Sequence, residues 1–423
     1  MIKRSFFTLT SPTLCYDPVE PDPKEPASIP IPPHLILLIN EPIDSTKDLL
    51  IKKADAVKRG EKLCLYGDST EYAVSPVTGK IKTIDTYSDD FGNIATYLVV
   101  SNNQRQTADT KGVTVDLKEE VTSADAVLRG LPGAPPLKTF ADDAVKVNTL
   151  VIMCADTDLL CTTNQFMAVK YLDDIKSGTQ ILKKIIQVET VCIVIPEDLN
   201  IQDSFGSTQV FKTSIEYPSN LPAMILKDHL NIVLPPGQTP EDAGVCFVGA
   251  EAVVSLARAY HSKSADFEKV VAVIGKQGIV HRVKATIGTP LHRIFNVLNI
   301  HINDQDRIII GGPLRGFATY THHHPVTPDM DTIILQDSDI IPELSGNACV
   351  NCGRCIQICP ANIPVNLLVR YLSADQYEAA FDKFDLGSCI ECGLCAYTCL
   401  ARIPLYQYIR LGKHELLKLK ADA

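Results

Sequence analysis

The sequence predicts a multidomain chain, α/β plus β, that ends in a helical cysteine-rich domain. Three observations predict it. Strand-length apolar runs alternate with helical runs through the middle of the chain, short apolar runs separated by glycine turns precede them, and eight of the fourteen cysteines fall between Cys349 and Cys399. At 423 residues the length prior is roughly three domains. Hydrophobic residues at 45% and charged residues at 21% describe a chain that folds, neither disordered nor of low complexity.

Taken in order, residues 1–30 are rich in proline (DPVEPDPKEPASIPIPP), which disfavours helix and paired strand alike, so an extended arm is expected. Residues 31–105 carry short runs such as ADAVKRGEKLCLYGD, AVSPVTGKIKTID and ATYLVVSN, turned at Gly60, Gly67 and Gly79, which read as a small β-domain. The polar stretch NNQRQTADTKG separates it from residues 115–260. There TLVIMCA, TVCIVIP, NIVLP and GVCFVGA alternate with TTNQFMAVKYLDDIKSGTQILKKII and EAVVSLARAY, the pattern of a Rossmann-like α/β layered domain. Residues 265–330 give a hairpin, a helix and a further strand, a β-grasp-like order. The domain from 337 to 423 carries the two cysteine sets, with NLLVRYLSADQYEAAFDKF between them expected to be helical and Ser373 and Gln376 spaced as a capping box.

Cys349, Cys352, Cys355 and Cys359, followed by Pro360, make the run C-x2-C-x2-C-x3-C-P that holds cubane iron–sulfur clusters in bacterial ferredoxins. Cys389, Cys392, Cys395 and Cys399 repeat the spacing. Three thiolates spaced this closely wrap one cube, and the fourth ligates the other. The expected ligand sets are therefore Cys349, Cys352, Cys355 and Cys399 for one [4Fe–4S] cluster, and Cys389, Cys392, Cys395 and Cys359 for the second. Zinc sites usually pair C-x2-C with a second ligand pair a dozen or more residues away, which two closed runs of four do not match. Gly353 and Gly393 let the backbone turn inside each loop. Leu400 stands where proline is usual, so a changed loop exit is expected there. The helical linker between the sets makes this an α-helical dicluster ferredoxin domain.

Other features exclude functions. A net charge of −10 without a basic block argues against nucleic acid. No apolar run reaches the length of a membrane span, and Pro12 interrupts the only candidate leader, so a cytoplasmic chain is expected. Cys15, Cys64, Cys154, Cys161, Cys192 and Cys246 are scattered and read as structural thiols. His322, His323 and His324 are consecutive, point in divergent directions and read as a solvated turn. GGPLRG at 311–316 lacks the G-x-G-x-x-G spacing and reads as a tight turn. No hydrolytic arrangement stands out.

With these residues assembled, the chain resembles the C subunit of the Rnf electron-transport complex and, more distantly, the flavoprotein subunit of respiratory complex I. CIECGLCAYTCLARIPLYQYIRLGK resembles the family's second cluster motif and the helix after it. KVVAVIGKQGIVHRVKATIGTPL and IIIGGPLRGFA resemble its β-grasp (SLBB-like) domain, and GVCFVGAEAVVSLARAY the end of its α/β domain. VKRGEKL with AVSPVTGKI resembles its barrel-sandwich (lipoyl-like) module, without a modification target around Lys80. The departures lie at the flavin elements. The family's G-L-G-G-A-G-F-P-T loop reads RGLPGAPPLK here, and Pro132, Pro135 and Pro136 remove backbone donors where an anion-binding loop needs them. Gly130, Gly133 and Lys138 remain. The acidic A-E-C-E-P-Y segment is present as ADTDLL, with Asp156 and Asp158, and the Tyr-Pro-Gln-Gly-Gly element has become YPSNLP.

The resemblance implies an iron–sulfur electron-transfer subunit, cytoplasmic and peripheral on a membrane complex, relaying electrons through two [4Fe–4S] clusters between other subunits of that complex and a soluble ferredoxin, flavoprotein or dehydrogenase. The altered loop favours a degenerate flavin/NADH site. Two alternatives stay open. One is an NADH-oxidising FMN flavoprotein, with Lys138 on phosphate and Asp156 or Asp158 near isoalloxazine or nicotinamide; the other is a soluble electron-transfer adaptor.

Overall fold

The computed structural model describes residues 13–89, 91–103, 130–136, 139, 146–201, 205–206, 208–341 and 344–421. The chain forms two compact units, each assembled from separate stretches. The larger combines Asp17–Thr213 with Gly244–Ile341; the smaller combines Met1–Tyr16, Ser214–Ala243 and Pro342–Ala423.

The larger unit is mixed α/β with several sheets. Strand β1 (Ala27–Ser28) belongs to the proline-rich arm, and the arm departs from expectation here. Ala27 and Ser28 stand between Pro26 and Pro30 and keep both N–H groups, so they add to a sheet edge where proline cannot. Strands β2 (His34–Ile39), β3 (Ala56–Val57), β6 (Gly79–Ser88) and β7 (Ile94–Asn102) form one antiparallel sheet in the order β2-β7-β6-β3, and β4 (Lys62–Leu63) pairs with β5 (Ala73–Val74). Alternation along β2 puts Leu35, Leu37 and Ile39 into a core with Leu65, Ile81 and Leu98. The separating stretch NNQRQTADTKG lies at the edge of the described residues, with only Asn102 and Asn103 among them.

Next come four parallel strands, β8 (Thr149–Met153), β9 (Thr190–Pro196), β10 (Gln209–Thr213) and β11 (Val245–Gly249), in the order β10-β9-β8-β11. Strands β8 and β9 are buried almost throughout, as continuous apolar runs covered on both faces should be. Helices α1 (Thr163–Lys170) and α2 (Leu172–Ile186) carry the crossover from β8 to β9, α3 (Pro222–Leu230) of the smaller unit comes between β10 and β11, and α4 (Ala250–Ser262) follows β11. Gly178 of α2 is a close approach: a Cβ there would stand 2.5 Å from the Val253 carbonyl oxygen on α4. A six-stranded sheet runs β1-β13-β12-β16-β14-β15, from β12 (Glu268–Ile274), β13 (Val280–Thr286), β14 (Arg307–Ile310), β15 (Phe317–Thr319) and β16 (Thr332–Gln336), with α5 (Leu291–Val297) over it.

The smaller unit is helical: α3, α6 (Arg354–Gln357), α7 (Val365–Leu372), α8 (Tyr377–Phe384), α9 (Leu394–Tyr397) and α10 (Leu405–Ala421). Leu368, Ile363, Leu386 and Ile409 centre its core, and the buried thiols Cys355 and Cys395 belong to it. The linker between the cysteine sets is helical, as expected, in two helices. Ser373 closes α7 and gives its hydroxyl to the Arg370 carbonyl, Asp375 is left-handed, and Gln376 opens α8 with no side-chain cap, so the expected capping box does not form.

Candidate metal centre

The two cysteine loops repeat one conformation. In each, a left-handed residue precedes the second cysteine and a left-handed glycine follows it: Asn351 (φ 53°) and Gly353 (φ 76°) in the first, Glu391 (φ 54°) and Gly393 (φ 74°) in the second. A Cβ on Gly353 would meet nothing within 4 Å, so the glycine answers to backbone conformation and not to crowding. Backbone turns of this kind aim amide groups into one hollow, the device that cradles anions and iron–sulfur groups. One-turn helices then begin at Arg354 and Leu394 and carry the third cysteine of each set.

The exits repeat as well, against the expectation raised by Leu400. Asn362 (φ 54°) and Arg402 (φ 51°) are both left-handed, and each donates its N–H to the carbonyl of the fourth cysteine, Cys359 or Cys399, at 3.1 Å. Val365 and Leu405 likewise each reach back two residues at 2.8 Å. Ile-Pro at 363–364 and again at 403–404 directs both exits, so the residue directly after the fourth cysteine does not decide the path.

Electrostatics group the eight thiols across the loops. Burial pushes Cys355 up to about 11, and Cys349, Cys352 and Cys399 act on it in the same direction. Cys392 is pushed up to about 12 by burial, with Cys389 and Cys359 adding to the effect. Cys395 moves the same way, again with burial first and with Cys389, Cys392 and Cys359 contributing. Cys359 thus acts on two thiols of the second set, and Cys399 on Cys355 of the first. A small cavity with largely apolar walls is lined by Cys359, Cys389, Cys392 and Cys395 together. Among the described residues no three His, Cys, Asp or Glu side chains converge as ligands of a single metal ion. A cubane cluster does not ask for that convergence, since each of its four iron corners takes one thiolate.

Two residues outside the motif reach the second loop. The Tyr217 hydroxyl donates to the Cys392 carbonyl at 2.6 Å, inside the smaller unit. Lys413, on α10, donates to the Cys389 carbonyl at 2.6 Å and pairs with Glu391 at 2.7 Å. Neither is signalled by cysteine spacing. Tyr217 lies in the altered YPSNLP element and Lys413 in the helix following the second motif, and only the tertiary fold brings them to the loop.

Of the expected flavin residues, Gly133, Asp156 and Asp158 are engaged by the protein itself. Asp156 is buried and accepts the N–H groups of Asn164 (2.8 Å) and Gln165 (3.2 Å), capping the start of α1. Burial pushes its carboxyl up to about 6, with the Asn164 amide opposing. Asp158 accepts the N–H groups of Arg315 (2.7 Å) and Leu314 (3.2 Å), so the GGPLRG turn closes on a carboxylate of the chain. A Cβ on Gly312 would fall 2.3 Å from the Asp158 carboxyl carbon. Gly133 donates its N–H to the Pro328 carbonyl at 2.7 Å and is packed so tightly on α4 that a Cβ would stand 2.3 Å from the Ala252 nitrogen. Leu131 is fully buried. A cavity bordered by Gly130 has Glu71 as the one charged side chain among its lining residues. Lys138 lies outside the described residues.

The histidine turn is less solvated than expected. His322 and His323 are exposed, but His324 is 4% exposed, and His292 brings its ring to 4.8 Å from that of His323. No described helix is long and apolar enough to cross a membrane.

A family model described as a 4Fe-4S dicluster domain matches residues 348–403. The C subunit of the ion-translocating oxidoreductase complex of Serratia proteamaculans is 24% identical over 83% of this chain and 53% of its own length. Its Vibrio cholerae counterpart is 27% identical over 84% of this chain and 48% of its own. The C subunit of the proton-translocating ferredoxin:NAD(+) oxidoreductase complex of Clostridium ljungdahlii is 24% identical over 91% of this chain and 89% of its own. The chain spans about half the length of the first two of these relatives. A chain of an NAD+-reducing [NiFe]-hydrogenase superposes with a TM-score of 0.44 at 11% identity, covering 72% of this chain and 65% of that one, a likeness too low to carry an argument. By sequence over most of its length the chain is similar to these C subunits, and residues 348–403 match a 4Fe-4S dicluster domain.

Proposed function

We propose that this chain is an iron–sulfur electron-transfer subunit of a membrane-associated, ion-translocating oxidoreductase complex, and that its flavin/NADH site is degenerate. One observation carries the first part: two loops of the same backbone conformation each present four thiols, and Cys359 of the first loop lines one cavity with Cys389, Cys392 and Cys395 of the second. Two [4Fe–4S] clusters bound there supply one-electron oxidation and reduction. Cys349, Cys352, Cys355 and Cys399 would hold one, and Cys389, Cys392, Cys395 and Cys359 the other. The exchanged cysteines keep the two quartets adjacent, as a relay between a soluble donor or acceptor and the complex requires. The left-handed loop residues turn amide donors inward, and the apolar walls around the second quartet keep water from it.

The second part is supported by the engaged residues of the larger unit. Gly133, Asp156 and Asp158 already bind backbone groups of the chain, and the prolines of 129–138 remove further donors. Anaerobically purified chain is expected to carry roughly eight iron and eight sulfide, with EPR signals of reduced [4Fe–4S] centres. Acid extraction should release no flavin, and incubation with FMN and NADH should leave no bound flavin that bleaches. Zinc in place of iron would defeat the electron-transfer reading; a retained, reducible flavin would favour the NADH-oxidising alternative.

A further inference from the structure

The two cysteine loops share their backbone path but not their surroundings. The first is held through a side chain, Arg370 donating to the Asn351 amide oxygen at 2.6 Å. The second has two of its backbone carbonyls held by donors from distant parts of the smaller unit: Cys392 by the Tyr217 hydroxyl and Cys389 by the Lys413 ammonium. Tyr217 is firmly placed. It is 6% exposed, its N–H bonds the Leu14 carbonyl at 2.8 Å, and its ring lies 5.3 Å from that of Tyr16, whose hydroxyl accepts the Asn220 N–H at 3.2 Å. Lys413 is paired with Glu391, which bounds its net charge, but its nitrogen stands on the carbonyl of a cysteine.

We propose that Tyr217 and Lys413 are positioning residues that raise the reduction potential of the cluster held by Cys359, Cys389, Cys392 and Cys395, acting through the carbonyls of Cys389 and Cys392. The inference rests on the cluster-binding reading and deepens it.

The physical reasoning is electrostatic. A carbonyl that accepts a hydrogen bond presents less negative potential to its surroundings, and the polarised peptide strengthens the donor character of the N–H on its far side, here that of Gly393. Reduction adds one negative charge to a buried site, so every donor and cation aimed at the loop favours the reduced state.

The test is an EPR-monitored redox titration of the full chain, prepared anaerobically, beside iron analysis. Tyr217→Phe and Lys413→Met should each move one of the two couples to lower potential and leave the other in place, with iron content unchanged. The expected size is up to about tenfold in the reduction equilibrium, ~59 mV for one electron. Lys413→Arg should restore the parent value. Replacing Tyr217 with a fluorotyrosine, which keeps the ring and strengthens the donor, should move the same couple upward, and this arm decides the matter where Tyr217→Phe loses iron. Unmoved couples in fully loaded variants, or both couples moving together, would overturn the proposal alone. A parent chain without [4Fe–4S] signals would overturn the cluster reading beneath it.

Discussion

At the scale of single residues, the assignment of Cys359 and Cys399 to each other's loops can be separated from its alternative by counting iron. If ligation is crossed, Cys352 and Cys399 serve the same cluster, so Cys352→Ser with Cys399→Ser removes one cluster and leaves roughly four irons. Cys392→Ser with Cys399→Ser then removes both. If each loop closed on itself, the second pair would cost one cluster and the first pair two, so the outcomes are opposite. The crossed result is expected because Cys399 acts on Cys355, and Cys359 on Cys392 and Cys395. Leu400 teaches a related point. Its loss of proline looks consequential in the sequence, yet Arg402 and Asn362 adopt the same left-handed conformation, since the Ile-Pro pair downstream is common to both loops.

At the scale of elements, the α/β sheet is joined to its neighbour in the larger unit by a buried charge network. Glu251, in the first turn of α4, contacts Lys269 on β12, and Lys269 reaches Asp331 at 3.0 Å. Lys269 is 0% exposed, and Glu251 also accepts the Val270 N–H at 3.0 Å. Lys269→Met leaves two carboxylates without their ammonium and should cost about 3–5 kcal/mol in chemical denaturation. The same network predicts a pH dependence. Burial pushes Glu251 up to about 7 from 4.5, the Lys269 charge opposing, and Asp156 up to about 6 from 3.8. A carboxyl that holds its proton more tightly when folded contributes stability that is fully present below its unfolded value and lost as pH rises through its folded value. Each group should thus forfeit about 3 kcal/mol between roughly pH 4 and 7. Relative to the parent, Glu251→Gln should become more stable by that amount as pH rises from about 5 to 8. An unchanged difference across that range would show that Glu251 titrates normally. None of this is legible in the sequence alone: Asp156 reads there as a ligand contact because a capping carboxylate and a binding carboxylate are the same residue until α1 is seen to begin a few residues later, with Asn164 bonded to it.

At the scale of the whole molecule, legibility followed the range of the interaction. Cysteine spacing, strand–helix alternation and turn glycines are local, and they marked the two cysteine sets and three strands of the parallel sheet, while NIVLP at 231–235 forms no strand and β10 was not anticipated. Features made by distant segments were hidden: β1 joining β13, and residues 214–243 folding with the cysteines although they interrupt the α/β stretch. That division has an energetic consequence. In the smaller unit Cys355 and Cys395 are part of the hydrophobic core itself, beside Leu368 and Leu405, whereas the cores of the larger unit contain none of the eight cysteines of the two sets. Ligands of this kind are assembled only in the folded state, so the free energy of holding the metal is also free energy of folding. Anaerobic removal of iron by a chelator should therefore lower or abolish the melting transition of the smaller unit and leave that of the larger unit in place. Calorimetry with near-ultraviolet circular dichroism reads both, because a chain of two units need not melt in one step. Iron removal that leaves every transition unmoved would mean that the thiols stand in the core for packing alone. A single transition that shifts as a whole would mean that the two units share one cooperative fold.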